Sequence, residues 1–256
     1  MVTNDVVKLK EGESCYAAHL NPQGKMVAQM DVLASGDSLW LVLEREVVPR
    51  LAQAFDKLII MEDVQVSDES EAFAVLGVIG SAKVDGMQVR TPLGSDLIVK
   101  GEVREQLVRS LVAGGATVID RPTWEILRTE AGLPVYGVDI DDTTTMPELG
   151  ERGISYDKGC YVGQEVVAKV KYIGHVNRRF VGLVLDGDSL PKAKSSIRRN
   201  GKDVGYITSC VRSAGLNRVI ALGFVGLSAQ APGTAVEIVD GDVAIPAAVS
   251  SLPFRV

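Results

Sequence analysis

The stretch FVGLVLDG at 180–187 opens a series of short apolar runs, which continues at 204–208, 218–225, 235–239 and 243–249. The runs are separated by Asp186-Gly187, Asn200-Gly201, Pro232-Gly233 and Gly241-Asp242. Strand-length apolar runs broken by residues that suit tight hairpin turns predict an antiparallel β-barrel. The pattern starts near Lys171–Gly174, so the sequence divides into a first region over 1–171 and a barrel domain over 172–256.

Upstream, strands and helices alternate. Residues 39–43 (LWLVL) read as a strand, and 46–58 place Val47, Val48, Leu51, Phe55 and Leu58 at helical spacing. Pro49 is compatible with that helix because it falls in the first turn. Apolar-rich runs at 62–66 and 72–79 read as strands, 87–99 as a hairpin, and 102–113 as an amphipathic helix stopped by Gly114-Gly115. The order predicts an α+β arrangement with a ferredoxin-like layer. A third helix is expected over 122–131, started at Pro122 and ended by Gly132 and Pro134. The irregular stretch 133–157 is long enough to suggest a functional role.

Composition narrows the function. A net charge of −6 argues against a general nucleic-acid binder and direct DNA binding. No apolar run reaches the roughly 18 residues of a membrane span, and the start MVTNDVVKLK lacks the apolar core of a secretory signal. A cytoplasmic or organelle-matrix location is expected. Three cysteines (Cys15, Cys160, Cys210) form no CxxC pair, which argues against a disulfide framework. With two distant histidines, a self-sufficient metal site is not expected.

The chemistry-bearing segment is SYDKGCYVGQE at 155–165. Glycines on both sides of Cys160 let backbone or ligand approach the sulfur, and the ammonium of Lys158 would favour a thiolate. Gln164 and Glu165 could open a helix or reach a polar ligand. On residues alone, a small buried inert hydrophobe is the more ordinary reading of a lone cysteine. His175 reads as a strand-start residue rather than as a partner base for Cys160.

KGCYVGQE resembles the signature of YgfZ-type proteins, a branch of the glycine-cleavage T-protein superfamily. Thr3-Asn4-Asp5, the turn AHLNPQGKMV (18–27), LRTEAGLPVYGVDI (127–140), GYITS (205–209) and IALGFV (220–225) resemble further elements of that family. The resemblance implies a T-protein-like ring of modules around a central hole that binds tetrahydrofolate or a one-carbon derivative, and partners among iron–sulfur client or assembly proteins. It implies that Glu130 recognises the pterin, as a carboxylate accepting two parallel hydrogen bonds would. It also implies that Trp124 stacks on the ligand, that Cys160 and Lys158 form the reactive pair, and that Tyr161 and Gln164 contribute to the cofactor site. On residues alone, Glu130 reads as a solvated helix-end carboxylate and Trp124 as a core anchor.

Two departures matter. Ala28 and Gln29 stand where T-proteins carry acids, and neither ionises, so neither removes a proton or stabilises a cation by charge. This argues against the alternative function, a folate-dependent aminomethyltransferase or methyltransferase. Family members also usually carry a further segment ahead of the Thr3-Asn4-Asp5 element, with a possible second folate contact. The basic groups Lys169, Lys171, Arg178, Arg179 and Lys192, Lys194, Arg198, Arg199, Lys202 read as solvated strand faces. The first lies beside the KGC segment, where it could attract the glutamate tail of folate.

Overall fold

Strand β1 (Ser14–Leu20) runs into a tight connection and returns as β2 (Met26–Ser35), which turns again into β3 (Ser38–Val42). The connection is built by Asn21, whose side-chain oxygen accepts from the backbone N–H of Gln23 and Lys25, and by Gly24 at φ +74°. This is the 18–27 turn of the sequence, but the long strands on either side of it were not legible there. In the computed structural model, residues 1–80 and 84–254 are described.

Helix α1 (Val48–Asp56) follows with Pro49 in its first turn, and it buries Leu51 and Phe55. Phe55 meets His19 of β1 edge-on at 5.2 Å. Next come β4 (Phe73–Ile79), β5 (Met87–Thr91) and β6 (Gly94–Lys100), hydrogen-bonded in the order β4-β6-β5. Leu33 of β2 packs with Val89 of β5 and Ile98 of β6, and Trp40 meets Phe73 at 4.7 Å. Helix α2 (Arg104–Ala113) then forms as predicted, but buries none of its residues. The alternation expected in this half is therefore carried by two three-stranded antiparallel sheets and two helices. The strand expected at 62–66 does not form. The Glu62 carboxylate instead accepts from the backbone N–H of Ile60 and Met61, and Asp68 from that of Ser70. Such local side-chain bonds offer the backbone an alternative to a ladder.

Helix α3 (Arg121–Glu130) is capped by Asp120, whose carboxylate accepts from Thr123 N–H at 2.9 Å. A single turn, α4 (Met146–Leu149), and helix α5 (Gln164–Tyr172) complete the helices. The barrel is formed by β7 (Arg178–Leu185), β8 (Ser196–Arg199), β9 (Lys202–Ser213), β10 (Arg218–Gly226), β11 (Ala235–Asp240) and β12 (Val243–Ser250), closed in the order β10-β7-β12-β11-β8-β9. Asn200 and Gly201, both at positive φ, make the two-residue turn between β8 and β9 that the sequence predicted. Inward-facing Leu183, Ile197, Ile207, Val219, Ala221 and Ile238 are fully buried and fill the interior.

The chain resolves into two compact units. The first contains residues 1–118 and 151–168, and the second contains 119–150 and 169–256. Helix α3 and the segment after it thus belong with the barrel, while the SYDKGCYVGQE segment belongs with the two sheets. Among the described residues no helix is long and apolar enough to cross a membrane.

Candidate functional site

In the first unit, the segment 155–165 is fastened at several points. Ser155 N–H donates to Thr3 O at 3.0 Å. The Lys158 ammonium donates to the carbonyls of Val2 (2.7 Å) and Asn4 (2.8 Å) and lies 5.3 Å from the Tyr161 ring centroid. Tyr161 is buried, and burial pushes its hydroxyl up to about 12. Gln164 opens α5, and its side-chain oxygen lies 3.4 Å from the Tyr161 amide. Cys160 sits between these fixed points and is exposed. Cys15 and Cys210 are half-buried, and burial raises both thiols, Cys210 to about 12. Neither is poised to form a thiolate at neutral pH.

The same unit holds a polar cluster around Tyr16, Gln29 and Asp31. Asp31 lies two residues after Gln29 in β2, so the two share a strand face, while Ala28 points to the opposite face and is fully buried. The Tyr16 hydroxyl donates to Gln29 at 2.9 Å, and the Gln29 amide donates to Glu44 at 2.8 Å. The Arg152 guanidinium lies 4.6 Å from the Tyr16 ring centroid. Burial pushes the Asp31 carboxyl up to about 6, with Arg152 opposing and Asp96 and Glu44 adding to the rise. One Asp31 oxygen is buried without a hydrogen-bond partner among the described residues. The two-residue period of β2 was the signal that links Gln29 with Asp31.

In the second unit, Arg128 of α3 is fully buried. It donates to Asp139 at 2.8 Å, to Glu125 at 2.5 Å, to Leu133 O at 3.2 Å and to Ser209 at 2.8 Å. Asp139 also accepts from Thr208 and Ser209, each at 2.6 Å, and from Val135 N–H at 3.0 Å. Much of the LRTEAGLPVYGVDI pattern is thus a buried ion-pair network that fastens α3 and its following loop to β9. Glu130 and Trp124 are half-buried on α3. Glu130 accepts from the Ser213 hydroxyl, and its backbone carbonyl accepts from Phe254 N–H at 2.9 Å. Six residues of helix rotate Trp124 and Glu130 about 120° apart and separate them by ~9 Å along the axis. They therefore project from different sides of α3. A cavity of about 330 Å³ in this unit is lined by Leu216, Arg218, Ile220 and Phe254, among others. Leu216 N–H donates to Ser213, so the cavity wall is tied to the Glu130 carboxylate.

Several of the basic residues are already engaged. Arg178 pairs with Glu148 at 3.1 Å, donates to the Tyr206 hydroxyl at 2.9 Å and lies over Phe224, while Arg198 pairs with Asp203 at 2.7 Å. Among the described residues, no group of three or more His, Cys, Asp or Glu is arranged to hold a metal.

Residues 178–255 match the glycine cleavage T-protein C-terminal barrel domain. The fold matches the glycine cleavage system aminomethyltransferase T of Bartonella henselae with a TM-score of 0.84 at 19% identity, covering 99% of this chain and 79% of that one. In sequence, the chain is 28% identical over 244 residues to the tRNA-modifying protein YgfZ of Escherichia coli O7:K1, covering 82% of this chain and 74% of the relative. The similarities thus run to the glycine-cleavage T-protein superfamily, with YgfZ-type proteins among the relatives. A superfamily aminomethyltransferase from Nostoc sp. is 27% identical over 293 residues, covering 99% of this chain and 78% of the relative. Ala28 gives β2 no ionisable group on its face, and Cys160 adds an exposed thiol on a fixed loop.

Proposed function

We propose that this chain is a tetrahydrofolate-binding accessory factor in iron–sulfur protein assembly or repair, with Cys160 as its functional thiol. The observation that carries the reading is the exposure of Cys160 between a clamped lysine and a buried tyrosine, while the other two thiols are half-buried. An isolated cysteine does not hold a cluster, because clusters need several thiolates. The thiol therefore acts jointly with ligands from a client or assembly protein. The YgfZ relatives are named for tRNA modification, and a client in that process is consistent with this role.

The donor set suits a folate. The Glu130 carboxylate accepts from an amino-pyrimidine edge, with the Ser213 hydroxyl orienting it. Trp124, on a different side of α3, offers an indole face to a second aromatic part of the ligand. Bound tetrahydrofolate supplies a carrier for a one-carbon unit. The residues of this chain bind and orient it.

Calorimetry with tetrahydrofolate tests the ligand, and a deletion strain complemented with Cys160→Ser tests the thiol. Binding that is lost in Glu130→Gln, together with reduced client iron–sulfur enzyme activity in Cys160→Ser, is expected. No heat at millimolar ligand, or full client activity with the serine variant, would overturn the corresponding half of the proposal. The second reading, an aminomethyltransferase, is favoured by the Nostoc relative and opposed by Ala28. Turnover of an aminomethyl donor to methylene-tetrahydrofolate would reinstate it.

A further inference from the structure

Residues 2–5 and 151–160 are distant in sequence but stitched together in the first unit. Thr3 is fully buried. Its hydroxyl donates to Gly153 O at 2.6 Å and accepts from Ala18 N–H at 2.9 Å. Its backbone N–H donates to Ala18 O at 2.9 Å, and its carbonyl accepts from Ser155 N–H at 3.0 Å. The Asn4 amide donates to Tyr16 O at 2.9 Å. The segment 2–4 is thus a strap lying between β1 and the chain that leads to Cys160. Lys158 closes it. Its ammonium reaches the carbonyls of Val2 and Asn4, which flank Thr3.

We propose that Lys158 is a positioning residue, which fixes the Cys160 loop by clamping the 2–4 strap rather than by lending its charge to the thiol. This rests on the reading of Cys160 as the functional thiol. Two of the three ammonium protons are committed to carbonyls at short, charge-assisted distances. Gly159, between the lysine and the cysteine, lies in open space, since a Cβ there would meet nothing within 4 Å. Cys160 is therefore held on one side by Lys158 and on the other by buried Tyr161. Burial pulls the Lys158 ammonium down in pKa, and the acidic groups whose charges oppose that fall are Asp5 and Cys15.

The test uses Lys158→Met, Lys158→Arg and Thr3→Val in the full chain. The last loosens the strap without touching the lysine. Hydrogen exchange is measured at the amides of 2–5 and 159–163, and the pH midpoint of Cys160 alkylation by iodoacetamide is measured in parallel. In Lys158→Met and Thr3→Val, exchange is expected to rise roughly ten-fold or more at both segments together. The alkylation midpoint is expected to stay where it is, and Lys158→Arg is expected to restore most of the protection. A midpoint that climbs in Lys158→Met while exchange is unchanged would show that the lysine acts through its charge. Unchanged exchange with an unchanged midpoint would also overturn the proposal. If Lys158→Met does not fold, Thr3→Val and Lys158→Arg still decide. Client activity of Cys160→Ser is read separately. Full activity there removes the thiol reading, whereas the exchange data decide the clamp on their own.

Discussion

Arg128 and Asp139 form an ion pair at 2.8 Å with both side chains almost entirely out of water. Burying two charges is unfavourable unless every remaining donor and acceptor is satisfied. Here the guanidinium has four partners and the carboxylate accepts from Val135, Thr208 and Ser209 besides. Asp139→Ala leaves a stranded guanidinium and is expected to lower stability by about 3–5 kcal/mol. The double change Arg128→Met with Asp139→Leu is expected to recover much of that. Urea denaturation of the two variants provides the comparison.

Asp31 is expected to make stability pH-dependent. Its carboxyl is raised from 3.8 to about 6 by burial, so between those values the folded chain holds a proton that the unfolded chain has released. Stability should therefore fall as pH rises from about 4 to 6 and stay reduced above that range, by up to about 3 kcal/mol. Asp31→Asn is expected to be more stable than the parent at pH 8 and to lose this slope. Thermal melts from pH 4 to 8 measure it. A parent and variant with parallel profiles would contradict the assignment.

Gly24→Ala is expected to cost about 1–3 kcal/mol. The residue sits at φ +74°, and an added Cβ would lie 2.8 Å from Val166 Cβ. Val166→Gly in the same chain removes the clashing Cβ with both Cγ atoms, so Gly24→Ala measured against Val166→Gly is expected to show only the backbone cost. Chemical denaturation of the single and double variants separates the two parts.

Thiol labelling should be selective. Under native conditions at pH 8, iodoacetamide is expected to modify one cysteine rapidly and to modify none rapidly in Cys160→Ser. Cys15 and Cys210 are expected to react at comparable rates only after denaturation, since burial disfavours their thiolates. Intact-mass spectrometry counts the adducts.

The barrel was legible because its signals are local: turn dipeptides such as Asn200-Gly201 between apolar runs specify hairpins without reference to the rest of the chain. Helices α1 and α3 were legible for the same reason, through Pro49 and through the stop at Gly132 and Pro134. The 62–66 strand failed because apolar content alone does not provide a pairing partner, and Glu62 and Asp68 divert the backbone. The β1–β2 hairpin was less legible because its connection, Asn21-Pro22-Gln23-Gly24, lacks the Asn-Gly or Asp-Gly pair of a two-residue turn. At the candidate site, Cys160 was marked by its flanking glycines. The partners of Lys158 were not, because backbone carbonyls more than 150 residues away leave no trace in a local pattern. Arg128 was passed over for a different reason: a charged residue in an amphipathic helix ordinarily faces water, and only the fold shows that this one does not.

The chain leaves the first unit after Val118, returns at Glu151 and leaves again after Ala168. Cutting the gene near position 172 would not liberate an intact barrel cassette, because Ser209 and Thr208 would lose their partners Arg128 and Asp139 to the other fragment. Recombination or domain grafting with relatives must therefore carry 119–150 along with the strands it serves. The intervening 151–168 insert must be transplanted or bridged as a separate piece.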